Sequence, residues 1–236
     1  MIRAQQCIIA ENCHGLYCLP LRSMQRPASQ EIIQGRVWEA ATIAQICKSA
    51  GDGDVIHAGA FFGDFFPAIS KALAPAAKLW TFEPNSENFQ CAQITCRLNE
   101  LKNVELRNCG LSDRSNNRLM TIGQGETWFG GGSRILNKDP VAEEHTETIA
   151  VEPIDGAIPA DRRISVLQLD VEGHEASALA GGLGTIRRWL PLIILETLPQ
   201  NWVQQNLAAL GYQVIGRCNS NSILSVGEAA PPDRAG

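Results

Sequence analysis

The sequence has no C-x-x-C pair, no cluster of basic residues and no long apolar run, and each absence removes a class of protein. Its eight cysteines, at 7, 13, 18, 47, 91, 96, 109 and 218, are not spaced as zinc ligands. A chain of 236 residues buries enough surface to fold without disulfide staples, so most of the thiols are expected to be small buried apolar groups. With 20 basic and 25 acidic side chains the net charge is -5, so nucleic acid and anionic membrane are poor partners. No run approaches the ~18 apolar residues of a membrane span. The opening M-I-R-A-Q-Q-C-I-I-A lacks the apolar core of a signal peptide, and a soluble cytoplasmic protein is the expectation.

What is present is organised around D-V-I-H-A-G-A-F-F-G-D-F-F at 54–66. Val55 and Ile56 suit a buried parallel strand. Gly59 and Gly63 suit a tight turn that a ligand can approach, and Asp64 is placed to cap or charge-complement the helix that follows. This is a nucleotide-type loop at the carboxyl end of a first strand. The alternative is a strand–helix corner whose glycines serve packing alone.

Before this stretch, residues 1–50 read as a short extension: a hairpin around Asn12–Gly15, then one or two helices between 29 and 50 that contain Trp38 and Glu39. After it, K-L-W-T-F at 78–82 is a second strand that ends at Glu83-Pro84. Glu83 follows Gly63 by about 20 residues, where a doubly wound fold places the carboxylate that binds ribose hydroxyls. Asn85 or Ser86 caps a helix over 86–99. N-V-E-L-R at 103–107 is a third strand, followed by a turn through Ser112 and Asp113. The glycine-rich stretch 114–150 is irregular until T-E-T-I-A-V-E-P-I-D at 146–155, an exposed strand. A buried strand at 164–170 ends in D-V-E-G-H-E, with a helix over 174–189 behind it. P-L-I-I-L-E at 191–196 is a fifth strand, a helix spans 200–210, and a final strand pair precedes a tail at 229–236 that is expected to be flexible. One domain is expected over 51–228.

This order of elements resembles the class I S-adenosylmethionine-dependent methyltransferases, and G-x-G-x-x-G of the common dinucleotide dehydrogenases is absent. The resemblance sharpens to the FkbM family of methyltransferases over about 36–226. It rests on G-A-F-F-G at 59–63, F-E-P-N at 82–85, L-N-E-L-K-N-V-E at 98–105, L-S-D at 111–113, L-D-V-E-G-H-E at 169–175 and P-L-I-I-L-E at 191–196; W-E at 38–39 and G-G-S at 131–133 also resemble family positions. The resemblance implies a Rossmann-like α/β fold, with a mostly parallel seven-stranded sheet, an antiparallel last strand and helices on both faces. It implies S-adenosyl-L-methionine as cofactor, lined by Gly59, Ala60 and Gly63, with Glu83 on the ribose and Ser112 and Asp113 by the adenine. Asp170 would face the methionine part and the substrate, and Glu39 would meet the cofactor ammonium.

The family writes D-x-G-A-N-x-G where this chain has H-A-G-A-F-F-G, so His57 replaces an Asp and Phe61 an Asn. Neutral His57 attracts a cationic cofactor less, and Phe61 packs on the cofactor or covers the site. The expected reaction is methyl transfer to a hydroxyl of a sugar or other small metabolite. Alignment and exclusion of water supply most of the catalysis, and a base removes the hydroxyl proton. Asp170, Glu172 and His174 cluster past a strand end as catalytic candidates; Glu172 and His174 are the candidate bases, against a role for Glu172 and Glu175 in complementing a helix N-terminus. These three alone are too few for a metal centre, and none is expected. The rival readings are a dinucleotide oxidoreductase and a non-catalytic cofactor-binding or interaction protein on the same scaffold. A homo-oligomer formed through the N-terminal extension remains open.

Overall fold

The computed structural model describes residues 6–136 and 138–227. The stretch 54–58 forms β3 (Asp54–Ala58), buried along its whole length because it lies inside a sheet covered on both faces. It pairs in parallel with β4 (Leu79–Phe82) and β11 (Ile164–Leu169). Beyond β4 lies β5 (Val104–Arg107); beyond β11 lie β12 (Leu192–Leu195), β14 (Asn221–Val226) and β13 (Tyr212–Cys218). The order of this seven-stranded sheet is β13-β14-β12-β11-β3-β4-β5, and β14 runs antiparallel to both its neighbours.

Period-2 alternation sorts the strand residues onto two faces. Ile56, Ala58, Leu167, Leu169, Ile193 and Leu195 belong to one core, which also takes in residues of α5 (Ile154–Ala157), α6 (Glu175–Ala180) and α7 (Leu183–Trp189), with α8 (Gln200–Asn206) packed against it. Val55, Val166 and Ile194 belong to the other, with α2 (Ala40–Ala50), α3 (Phe66–Ala72) and α4 (Ser86–Leu98). The N-terminal segment is a hairpin of β1 (Cys7–Asn12) and β2 (Gly15–Pro20), followed by α1 (Pro27–Ile33). Tyr17, Cys18 and Leu19 of β2 are fully buried, packed with Phe61, Phe62 and Cys91.

Four local readings of the sequence are corrected. Residues 114–150 are mostly not irregular: β7 (Asn116–Gln124) and β10 (Glu144–Glu152) pair as a long antiparallel ribbon, extended by β6 (Gly110–Leu111), β8 (Thr127–Trp128) and β9 (Arg134–Ile135) into a second sheet. The helix expected over 174–189 is two helices. They break at Gly181, where a Cβ would stand 2.0 Å from the Ser112 carbonyl oxygen. Glu39 is not a helix-interior residue but precedes α2 with φ 47°. Asp64 caps nothing: α3 begins two residues later with no side-chain cap, and Asp64 is buried. The tail at 229–236 lies outside the described residues.

Candidate functional site

The site starts where β3 ends. Gly59 holds φ 86°, and a Cβ there would stand 1.9 Å from the Asp170 carbonyl oxygen, so the ends of β3 and β11 approach as only glycine allows. The Gly59 and Ala60 amides both donate to the Phe82 carbonyl, at 3.1 and 3.2 Å, which fastens the loop to the end of β4. Phe61 follows with φ 46°, and its amide donates to Glu83 Oε2 at 2.7 Å. Glu83 Oε1 accepts from the Asn85 amide at 2.9 Å and from Asn88 Nδ2 at 3.4 Å. Burial pushes the Glu83 carboxyl up to about 8, although these three donors pull it down. With these three donors in place the Glu83 carboxyl keeps one position for a ribose hydroxyl, its O–H when protonated and a lone pair when ionised.

Two cavities meet at Gly59, Gly131 and Asp170. The first lies over the ends of β3 and β4, between Phe82, Glu83, Leu111, Met120, Ile135 and Val171. The second is acidic: Glu39, Asp64, Asp170, Glu172 and Glu196 line it, with Arg26, Trp38, His57, Phe61 and Phe65. Four of these carboxyls, Glu39, Asp64, Asp170 and Glu172, titrate high. Burial and then Glu196, Glu172 and Glu39 raise Asp170 well above the ordinary range. Burial and Glu196 raise Glu172, against the pull of Arg26 and Arg134. Burial raises Glu39, whose Oε2 accepts from Asn221 Nδ2 at 2.8 Å, and burial pushes Asp64 up to about 7.

His57 lies in β3 rather than in the turn. Its Nδ1 is hydrogen-bonded to Gln168 Oε1 on the adjacent strand, and its ring stacks on Phe65 with centroids 5.0 Å apart. Burial lowers its pKa to about 4, so it is neutral at pH 7. Phe61 packs on Phe62 at 4.4 Å and beneath Gly131, where a Cβ would meet its ring at 3.3 Å. The turn at 130–132 also touches the N-terminal segment: a Cβ on Gly130 would stand 2.5 Å from Ser23 Oγ.

Not every candidate reaches these cavities. Asp113 lies outside the lining, half exposed and paired with Arg114 at 3.3 Å; Gly110 and Leu111, held by β6 pairing, line the first cavity instead. Ser112 is buried with its Oγ 3.1 Å from His174 Nε2. His174 is therefore turned away from Asp170 and borders a separate groove with Arg134, Lys138 and Glu144. The reason is backbone: Glu172 and Gly173 both have positive φ, at 52° and 90°, and this turn sends neighbours in sequence to opposite sides. Glu172 borders both the groove and the acidic cavity. The carboxylate that joins Asp170 and Glu172 is Glu196, for which the sequence reading had no role. Its signal was an acidic residue at the carboxyl end of a buried strand, the same signal that marked Glu83 and Asp170.

A strand–glycine turn–helix with cavities at the carboxyl ends of parallel strands defines an open α/β protein with a nucleotide-type site. The chain belongs to the FkbM methyltransferase domain family, whose profile matches residues 57–214. Among solved structures it is similar to methyltransferase FkbM from Methylobacillus flagellatus KT, with 18% identity and a TM-score of 0.50 over 73% of this chain and 43% of that one. This chain thus spans less than half of that protein's length. A methyltransferase from Geobacter sulfurreducens matches with 14% identity and a TM-score of 0.47 over 86% of each chain. The Pyrococcus abyssi tRNA (uracil-54, C5)-methyltransferase, solved with S-adenosyl-L-homocysteine, matches with 11% identity and a TM-score of 0.47 over 94% of this chain and 44% of that one. No curated protein matches the chain.

Proposed function

We propose that the protein transfers a methyl group from S-adenosyl-L-methionine to a hydroxyl of a sugar or other small metabolite. The observation that carries this reading is the pair of cavities joined at Gly59 and Asp170, one with apolar walls beside Glu83 and one acidic. The first offers an adenosyl group apolar walls, with Leu111, Met120 and Val171 to pack on a flat base and the remaining Glu83 hydrogen-bonding position toward the ribose. The second fits a cationic methionine end, near Glu39, Asp64 and Asp170. The cofactor, when bound, supplies a methyl group already activated by a positively charged sulfur. The chain's own part is to align the acceptor, exclude water and take a proton.

Asp170 and Glu172 are the candidate proton acceptors. Their raised affinity for a proton makes each a stronger base than an exposed carboxylate, provided one is ionised when the acceptor binds. His174, bonded to Ser112, is a positioning residue of the adjoining turn in this reading rather than the base. An acidic cavity repels a phosphate backbone, which favours a small neutral or cationic acceptor over nucleic acid. Among the described residues no helix is long and apolar enough to cross a membrane.

The test is calorimetric titration with S-adenosylhomocysteine, of wild type and Glu83→Ala, beside an NADH control. Above pH 8, where Glu83 is ionised, saturable binding by wild type, weakened at least about tenfold in the variant, is expected; a lost charged hydrogen bond is worth about 1.5–3 kcal/mol. Binding of NADH instead would move the protein to the oxidoreductases, and binding of neither would remove both enzyme readings.

A further inference from the structure

The acidic cavity holds more carboxyl groups than a single ammonium group needs. One oxygen from each of Asp170, Glu172 and Glu196 lies within 4.8 Å of the other two. Around a magnesium ion with ligand distances of about 2.1 Å, oxygens on opposite sides are about 4.2 Å apart, so small side-chain movements close the set on a cation. The three are brought together by register: β11 and β12 pair Leu169 with Leu195, so Asp170 and Glu196 emerge side by side, and Glu172 turns back over them.

A second observation is independent of these carboxylates. His57, only 2% exposed, forms part of the same cavity wall, and its Nε2 has no hydrogen-bond partner. In the tautomer whose Nδ1 donates to Gln168 Oε1, the lone pair is on Nε2. A buried lone pair without a donor is costly, and a cation's own water is a strong donor that would satisfy it.

We propose that Asp170, Glu172 and Glu196 bind a hard divalent cation of the magnesium or manganese class, with His57 accepting from one of its waters. Magnesium keeps several waters and takes few protein carboxylates, which matches a set of three with an unpartnered buried nitrogen in the same cavity wall. Arg26 also borders the cavity. The cation extends the methyltransferase reading to a substrate class: acceptors with two adjacent oxygens, such as a vicinal diol, which chelate it. That extension rests on the proposed activity; the binding of the ion does not.

The experiment is Mn²⁺ titration of the full chain, followed by electron paramagnetic resonance of the free ion, with Glu196→Gln, His57→Asn and, outside both cavities, Asp113→Asn. One saturable site is expected, weakened roughly tenfold or more in Glu196→Gln and His57→Asn and unchanged in Asp113→Asn, with thermal melts to show that each variant is folded. Excess Mg²⁺ is expected to displace the signal. No saturable site in folded wild type, or a site indifferent to Glu196→Gln, overturns the proposal. Titration with S-adenosylhomocysteine on the same samples separates the two readings. Cofactor binding without Mn²⁺ binding leaves the carboxylates as the cationic pocket of the cofactor and refutes the metal. Mn²⁺ binding without cofactor binding supports the metal and refutes the transferase.

Discussion

Gly59→Ala tests the junction on which both cavities depend. Two costs add. An alanine held at φ 86° loses about 1–2 kcal/mol to backbone sterics. Its methyl would also stand 1.9 Å from the Asp170 carbonyl oxygen, where side-chain carbons essentially never come within 3.0 Å. The end of β11 therefore retreats by about 1 Å or more, an overpacking cost of about 1–3 kcal/mol. The sum, about 2–5 kcal/mol, lowers Tm by roughly 4–20 °C for a chain of this size. Gly35→Ala isolates the first cost: Gly35 holds φ 74°, but the nearest atom to its would-be Cβ, the Glu11 carbonyl oxygen, is 4.0 Å away. That variant is expected to lose about 1–2 kcal/mol, roughly 2–8 °C, and to bind S-adenosylhomocysteine like wild type. Gly59→Ala is expected to lose that binding, because the retreat carries Asp170 away from both cavities. Differential scanning fluorimetry and calorimetry read the two effects. Equal Tm losses in the two variants would refute the clash, and wild-type affinity in folded Gly59→Ala would refute the placement of the cofactor at this junction.

Two other expectations concern the neighbouring turn. The Glu83 carboxyl is raised to about 8 in the fold against an ordinary value of 4.5, so the folded state holds its proton where the unfolded chain has lost it. Glu83 therefore costs stability as pH rises from about 4.5 through 8, with no further change above; without cofactor, the Tm of Glu83→Gln is expected to gain on wild type between pH 5.5 and 8.5, and a pH-independent difference would contradict this. Asn85 Oδ1 accepts from the Glu87 and Asn88 amides at 3.0 and 3.1 Å, so Asn85→Ala removes an N-cap of α4 at a cost of about 1 kcal/mol, read as a Tm lower by roughly 2–4 °C.

The parts of this molecule that could be read from the sequence are those with a local cause. Val55 and Ile56 mark a buried strand by themselves, and Glu83 and Asp170 are visible as acids at strand ends. The ribbon of β7 and β10 was not visible, because N-N-R-L-M-T-I-G-Q mixes polar with apolar residues and buries few of them, Met120 and Thr121 among them. Its strand character comes from pairing with a segment some 25 residues away. The partnership of Asp170 with Glu196 was hidden for the same reason, since it exists only once β11 and β12 lie in register. His174 shows the converse error. Four residues from Asp170 in the chain, it is directed to Ser112 by two positive-φ residues, one of them a glutamate that local propensity would not place there.

His57 and Phe61, the departures from the family's loop, bear on the charge of the site rather than on its shape. At 57 the family's acid would sit beside Gln168 in the sheet interior; here a neutral imidazole takes the place and bonds to that glutamine. The negative charge this removes is present elsewhere on the same cavity, in Glu39 before α2, Asp64 before α3 and Glu196 after β12. Phe61 gives up a polar side chain but keeps the amide that binds Glu83, and its ring fills the space beneath Gly131. A cationic ligand thus meets at least as many carboxylates as one acid in β3 would supply, placed closer to the mouth of the strands. Burial first, and the neighbouring carboxylates after it, raise every one of these groups whose titration is shifted, so the cavity is poised to release protons when positive charge enters it.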